Sequence, residues 1–231
     1  MMDDAELLRR YAETRSEKIF AELAQRHLGL VYHSALRRVN QNTSLAEEVT
    51  QTVFVSLAQE AGRLGANPRD NQTLAGWLYV VTRHAAAKAM RAEARRIRRE
   101  GKAFDMHTTD RMGDDGGDAW MELRPELESV MDALSAADRD AILMRFFENR
   151  PFAEVGIALN VSEDAARVRV NRALEKMRQL LARRRITSTA AALGGLIATQ
   201  AAQAVPAGLM MSITSSAFSA AAHAAAVNTG I

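Results

Sequence analysis

Along most of this chain apolar residues recur every three or four positions, and no stretch alternates in the manner of a strand. Over residues 5–38 Ile19, Phe20, Leu23, Leu28, Val31, Tyr32 and Leu36 share a helical stripe, with breaks expected near Thr14 and Gly29. The polar cluster at 40–44 reads as a turn. Ser44 with Glu47 three residues on forms a capping box, so a helix is expected to start at Ser44. Leu45, Val49, Val53 and Leu57 then face one way, and Glu47, Glu48 and Gln51 the other. Residues 61–73, with two Gly and a Pro, read as a loop. A long helix follows from Thr73, with Leu74, Trp77, Leu78, Val81 and Ala85 on its apolar face, until arginine takes over beyond Lys88.

Periodicity lapses over 101–118 and resumes at Pro125, with Leu127, Val130, Met131 and Leu134 inward. Ser135 is placed to cap the next helix, which carries Ala141, Ile142, Met144, Phe146 and Phe147. Phe152, Val155, Ala158 and Leu159 make a short amphipathic helix. Asn160 stands where the chain must turn, since Asn tolerates the left-handed conformation. Ser162 is a good cap for a second helix that buries Ala166, Val170 and Leu174 and exposes Arg167, Val168, Asn171 and Arg172. Gly156 lets the two helices approach closely. This is a helix-turn-helix layout, whose second helix fits a DNA major groove. Arginine there can bridge guanine O6 and N7, and asparagine can pair with adenine. An ordinary helical hairpin with a solvated basic face is the competing account of the same residues.

Charge shifts the balance towards nucleic acid. The formal net charge is only +2, yet residues 83–102 hold eight basic and two acidic side chains, and 150–185 hold nine and four. Between them, 103–128 hold two basic and eight acidic. Two basic blocks flanking an acidic tether fit two polyanion-binding surfaces better than one evenly solvated body. There is no cysteine, which excludes disulfides, thiolate metal sites and cysteine nucleophiles. The opening residues are acidic and lack the apolar core of a secretory signal. No nucleophile elbow, phosphate-binding glycine loop or HExxH motif occurs. None of His27, His33, His84, His107 and His223 has metal-ligand spacing with carboxylates. The chain is expected to have no catalytic residues, no metal and no cofactor.

Taken in order, "ELLRRYAE", "FAELAQRHLGLVY", "LAEEVTQTVFVSLAQ", "LAGWLYVVTRHAAAKAMRAEARR" and "LSAADRDAILMRFFENRPFAEVGIALNVSEDAARVRVNRALEKMRQLL" resemble bacterial RNA polymerase sigma factors of the extracytoplasmic-function (ECF) class. The resemblance covers roughly residues 5–182. It implies an all-α protein of two small helical domains, a region 2-like bundle at 5–100 and a region 4-like helix-turn-helix domain at 122–182. A flexible acidic linker, 101–121, would join them, and an Ala-rich helical extension, 183–231, would follow.

The same resemblance implies roles. Glu47, Glu48 and Gln51 match the positions that dock on the clamp helices of the polymerase's largest subunit; the C-terminal domain would meet the flap region. The segment 62–73 and the Trp77 helix match the part that melts promoters and reads the non-template strand of the minus-ten element. Arg63, Arg69, Asn71, Arg83, Lys88, Arg91, Arg95 and Arg96 are the candidate DNA contacts there. Trp77, on the apolar face, reads as core, and His84 stands where the family usually has Asn. Arg167, Val168, Asn171 and Arg172 match the contacts to duplex DNA at the minus-thirty-five element. Asp164-Ala165-Ala166 replaces the usual Gly-Thr-Val, and Val168 a common Ser, which removes hydroxyls and puts a carboxylate near phosphate. Weak binding by the isolated domain is expected, with affinity supplied by bivalent attachment through the polymerase. A cytoplasmic location and an anti-sigma protein as a further partner are also implied. The alternative is a stand-alone helix-turn-helix transcriptional regulator, which would need neither the "AEEVTQ" helix nor the Trp77 helix.

Residues 186–231 contain no Asp, Glu, Lys or Arg. The stretch 189–205 approaches a membrane span in length, but its Ala, Gly, Thr and Gln gain little from lipid. A helical hairpin packed on the body, a partner-binding segment, or a tail resting with Arg183–Arg185 on an anionic membrane surface are the readings left open. A regulatory extension is the expectation.

Overall fold

The computed structural model describes residues 2–66, 73–100 and 118–228. Among the described residues all regular structure is helical. Helix α1 (Asp4–Thr14) starts where the Asp3 side chain accepts from the Glu6 N–H at 2.7 Å, and stops at Arg15, which is left-handed at φ 50°. Helix α2 (Glu17–Arg38) runs unbroken through Gly29. The expected break is absent because His27, Leu28, Leu30 and Val31 are all buried around it, and that burial outweighs the roughly 1 kcal/mol a helical glycine costs.

Left-handed Asn40 and Gln41 then reverse the chain into α3 (Thr43–Ala66). Asn42, not Ser44, is the cap: its Oδ1 accepts from the Leu45 N–H at 3.0 Å, two residues ahead of the expected box. Helix α3 also continues through Gly62 and Gly65, so the loop expected from residue 61 begins only after Ala66. The glycines serve packing here. A Cβ on Gly65 would lie 3.1 Å from the Arg9 backbone nitrogen, so their small size lets α1 press onto α3. Helix α4 (Leu74–Glu100) starts where expected, and Thr73 caps it, its hydroxyl accepting from the Gly76 N–H at 3.0 Å. The buried face of α4 centres on Leu78, Tyr79, Thr82 and Ala86, with Trp77 beside them at 8% exposure.

The second domain opens with α5 (Asp118–Asp132), which begins seven residues before the expected Pro125 and runs through it. Proline removes one backbone donor, but Leu123 and Leu127 on either side are buried and hold the helix. Ser135 caps α6 (Ala136–Ile142) by accepting from the Asp138 N–H. The chain widens into a π turn over Leu143–Phe147, closed by the Glu148 N–H on the Leu143 carbonyl. Helix α7 (Phe152–Ala158) buries Val155 and Leu159 and leaves Ala158 exposed, contrary to the amphipathic reading; α8 (Glu163–Ala182) buries Ala166, Val170, Leu174, Met177 and Leu181.

The two domains lie against each other, α5 on α2 and α6 on α4, and their buried residues form one continuous core. The C-terminal extension straddles both. Thr189 caps α9 (Ala190–Ala201), which packs on α8 and the π turn through Leu193, Gly194 and Ile197. Pro206 and Gly208, at φ 88°, then turn the chain into α10 (Leu209–Asn228), which lies on α3 and α2. Leu209, Ile213 and Ala217, at spacing four, form its buried stripe. The extension is therefore a strap across two domains, α9 chiefly on the C-terminal one and α10 on the N-terminal one, rather than a hairpin. Burying each of Leu193, Ile197, Leu209 and Ile213 is worth about 1.5–3 kcal/mol, enough to hold the strap down. No helix among the described residues is long and apolar enough to cross a membrane.

Candidate polymerase and nucleic-acid interfaces

On α3, Glu48 is exposed, Glu47 is half-buried and Gln51 is half-buried. Burial, with the Glu47 carboxylate nearby, raises the Tyr32 hydroxyl above its ordinary pKa. The Gln51 side-chain amide donates to the Ser212 hydroxyl of α10. Of the three carboxylate and amide positions only Glu48 is fully open.

Arg63 is exposed at the end of α3 and pairs with Glu60 on the same helix, instead of standing in a loop. Arg69 and Asn71 lie outside the described residues. Along α4, Lys88, Arg91 and Arg95 are exposed on one side, at spacings of three and four. Arg96 forms an ion pair with Glu93 at 2.6 Å. Arg83 is turned inward: it is half-buried and 3.8 Å from Asp132 of α5. His84 is exposed and Trp77 belongs to the core.

The helix-turn-helix is closed by three local devices. Asn160 is left-handed at φ 53°, Ser162 accepts from the Ala165 N–H at 3.2 Å, and Gly156 sits where a Cβ would come within 2.8 Å of the Val161 carbonyl oxygen. They present Arg167, Val168, Asn171 and Arg172 on the outer side of α8. Arg167 pairs with Glu163 at 3.2 Å and lies 4.6 Å over the Phe152 ring. Val168 is 61% exposed and open to a partner. Asn171 also borders an open cavity of about 340 Å³ between α8, the π turn and α9.

Sequence reasoning missed the contacts between the domains. Arg37 and Arg38 of α2 both reach Glu128 of α5 at 2.7 Å; Arg38 also bonds Asp132 at 3.0 Å and the Tyr79 hydroxyl at 2.7 Å. Asp140 of α6 accepts from the Thr73 hydroxyl at 2.8 Å and lies against Gly76, where a Cβ would meet it at 2.3 Å. At the third contact the buried His27 bonds Glu148 through Nδ1 at 2.6 Å and faces Asp4 through Nε2 at 3.4 Å, while Arg150 bonds Asp4 at 2.6 Å. Burial alone would lower the His27 pKa, but Glu148 and Asp4 override it and raise it from 6.5 to about 9. Asp4 is held well below the ordinary carboxylate range: burial opposes ionisation, and His27 and Arg150 outweigh it. Across the two domains these partners stand 67 to 146 residues apart, beyond the reach of any local pattern.

Two families match the chain: that described as Sigma-70 region 2 over residues 23–96, and Sigma-70, region 4 over 130–179. The chain is 30% identical to the RNA polymerase sigma factor CarQ of Myxococcus xanthus over 170 residues, 74% of this chain and 91% of that one. The chain belongs to the sigma-70 family, as a sigma factor of the ECF type. It is also 25% identical to the ECF RNA polymerase sigma factor SigE of Mycolicibacterium smegmatis, over 70% of this chain and 61% of that one. With the ECF RNA polymerase sigma factor SigK of Mycobacterium sp. strain KMS it shares 26% identity, over 69% of this chain and 81% of that one. No solved structure matches the chain. A sigma factor is a noncatalytic initiation subunit, and this one binds core RNA polymerase and directs it to promoter DNA. The region 2 match covers α3 and most of α4, and the region 4 match covers the helix-turn-helix, so each basic surface falls within a matched region.

Proposed function

We propose that the face of α3 bearing Glu47, Glu48 and Gln51 docks on the clamp helices of the polymerase's largest subunit, and that the α5–α8 domain meets the flap region. Residues 5–100 and 122–182 act as the two working modules, with 101–121 as tether and 183–231 as an appended segment. Lys88, Arg91 and Arg95, with Arg63, Arg69, Asn71, Arg83 and Arg96, track the melted strand of the minus-ten element. Arg167, Val168, Asn171 and Arg172 read duplex DNA at the minus-thirty-five element. The protein works in the cytoplasm, and an anti-sigma protein is a candidate partner.

The observation that carries this reading is the pairing of an exposed carboxylate on a matched region 2 helix with a capped helix-turn-helix in region 4. A stand-alone DNA-binding regulator needs only the second. The test is reconstitution with core polymerase and promoter DNA. Glu48→Arg is expected to lower polymerase affinity at least tenfold while leaving the thermal midpoint unchanged. Arg172→Ala is expected to leave polymerase affinity alone and weaken promoter binding. Equal polymerase affinity for Glu48→Arg and the unaltered chain would remove α3 from the interface.

A further inference from the structure

We infer that the C-terminal strap is a built-in inhibitor: α10 covers part of the polymerase-facing side of α3, and α9 holds region 4 beside it, so that polymerase must peel the strap away to bind. This rests on the assignment of α3 as the polymerase-facing helix.

Four observations converge. Gln51, one of the three side chains assigned to the polymerase, is already engaged by Ser212. Helix α10 lies along α3 and α2 with Leu209, Ile213 and Ala217 buried, so a partner approaching that side meets α10 first. The strap is fastened midway, where His33 of α2 donates from Nε2 to the Gln203 carbonyl at 3.0 Å and the Ala201 carbonyl passes close to Gly29. Its other end grips region 4, where Gly194 packs against Phe146 and Leu174 of the C-terminal domain.

The chemistry of the strap suits displacement. Helices α9 and α10 carry no Asp, Glu, Lys or Arg, and among the described residues they are held by apolar contact and two hydrogen bonds to neutral partners. The joints between the domains, by contrast, are charged and specific. A cation-bearing polymerase surface can pair with Glu47 and Glu48, which the strap has no charge to satisfy. Because α9 and α10 belong to one short segment, lifting α10 from α3 loosens the tie on region 4 as well.

The test uses the full chain. Ile213→Glu places a carboxylate in the buried seam of α10 and leaves α3 and both DNA-reading surfaces untouched. It is expected to raise affinity for core polymerase about tenfold, and Ser212→Ala, which removes only the Gln51 contact, about threefold. Hydrogen exchange on the unaltered chain gives a readout that no substitution can compromise: amides of α10 over 212–219 should lose protection when core polymerase binds. Unchanged affinity in both variants, or α10 amides still protected in the complex, would overturn the strap. Glu48→Arg separates the two levels. If it weakens polymerase binding while the strap variants change nothing, α3 is the polymerase face and the strap is merely structural. If it has no effect, the assignment of α3 fails and the strap proposal falls with it.

Discussion

His27 links protonation to the joint between the domains. Its pKa rises from 6.5 to about 9 on folding, so the stability it contributes is fully present below 6.5 and is lost as pH climbs through about 9. The groups facing it are Asp4 from α1, which also meets Arg26, and Glu148 with Arg150 from the C-terminal domain. Asp4, shifted the other way, contributes above its ordinary 3.8 and is lost only in strong acid, so it does not blur the alkaline limb. The thermal midpoint should fall by about 5 °C or more between pH 6.5 and 9.5, and His27→Gln should start lower and flatten that fall. An equal slope in both proteins, measured by calorimetry, would take His27 out of the joint. Gly156 makes a second test at this scale. Gly156→Ala drives a methyl to 2.8 Å from the Val161 backbone oxygen, which cannot swing aside. A loss of about 1–3 kcal/mol is expected in denaturant unfolding, with region 4 function lost first.

In α2, α3, α5 and α8 the inward faces were legible because each helix repeats an apolar stripe strong enough to name its own core side, whereas on α4 the buried face falls on Ala75, Tyr79, Thr82 and Ala86 beside the expected Leu78, and the tail helices offered no such stripe. Leu127, Val130, Met131 and Leu134 are all buried where their spacing places them. The caps at Ser135 and Ser162 were legible for the same local reason. Glycine misled. Gly29, Gly62 and Gly65 read as breaks, yet all three lie within helices, and Gly65 lets α1 press onto α3. The charged joints were illegible because their members come from separate helices and ordinarily signal solvent. On α4 the charge pattern was clearer. Lys88, Arg91 and Arg95 were identified as a basic run, and they remain exposed on one side. Changing all three to Ala should reduce the salt dependence of open-complex formation by about 2 in slope, at roughly 0.7 per phosphate contact on single-stranded DNA. A slope equal to that of the unaltered protein would mean the stripe touches no phosphate.

The whole molecule faces a geometric conflict. The minus-ten and minus-thirty-five elements lie about 25 base pairs apart, roughly 85 Å of B-form DNA, whereas a compact chain of this length is only about 45 Å across. On the proposed assignment of one element to each domain, one body cannot touch both, and the domains would have to part before the promoter is engaged. The joint at Glu128 opposes parting. It pairs with Arg37 and shares Arg38 with Asp132, and its loss would strand the buried Arg37 guanidinium and leave Arg38 with Asp132 alone, at a cost of about 3–5 kcal/mol to the packed arrangement. Once the domains separate, water solvates those arginines, so the same substitution costs the parted state little. Glu128→Ala is therefore expected to shift the population towards separated domains. The chain has no cysteine, so one introduced at Lys18 on α2 and another at Lys176 on α8 would carry a donor and an acceptor dye without competing thiols. Energy transfer should be high in the otherwise unaltered chain, fall in Glu128→Ala, and fall in both once core polymerase and promoter DNA are added. Transfer that stays high for Glu128→Ala alone would mean that the apolar core and the strap hold the domains together without this joint.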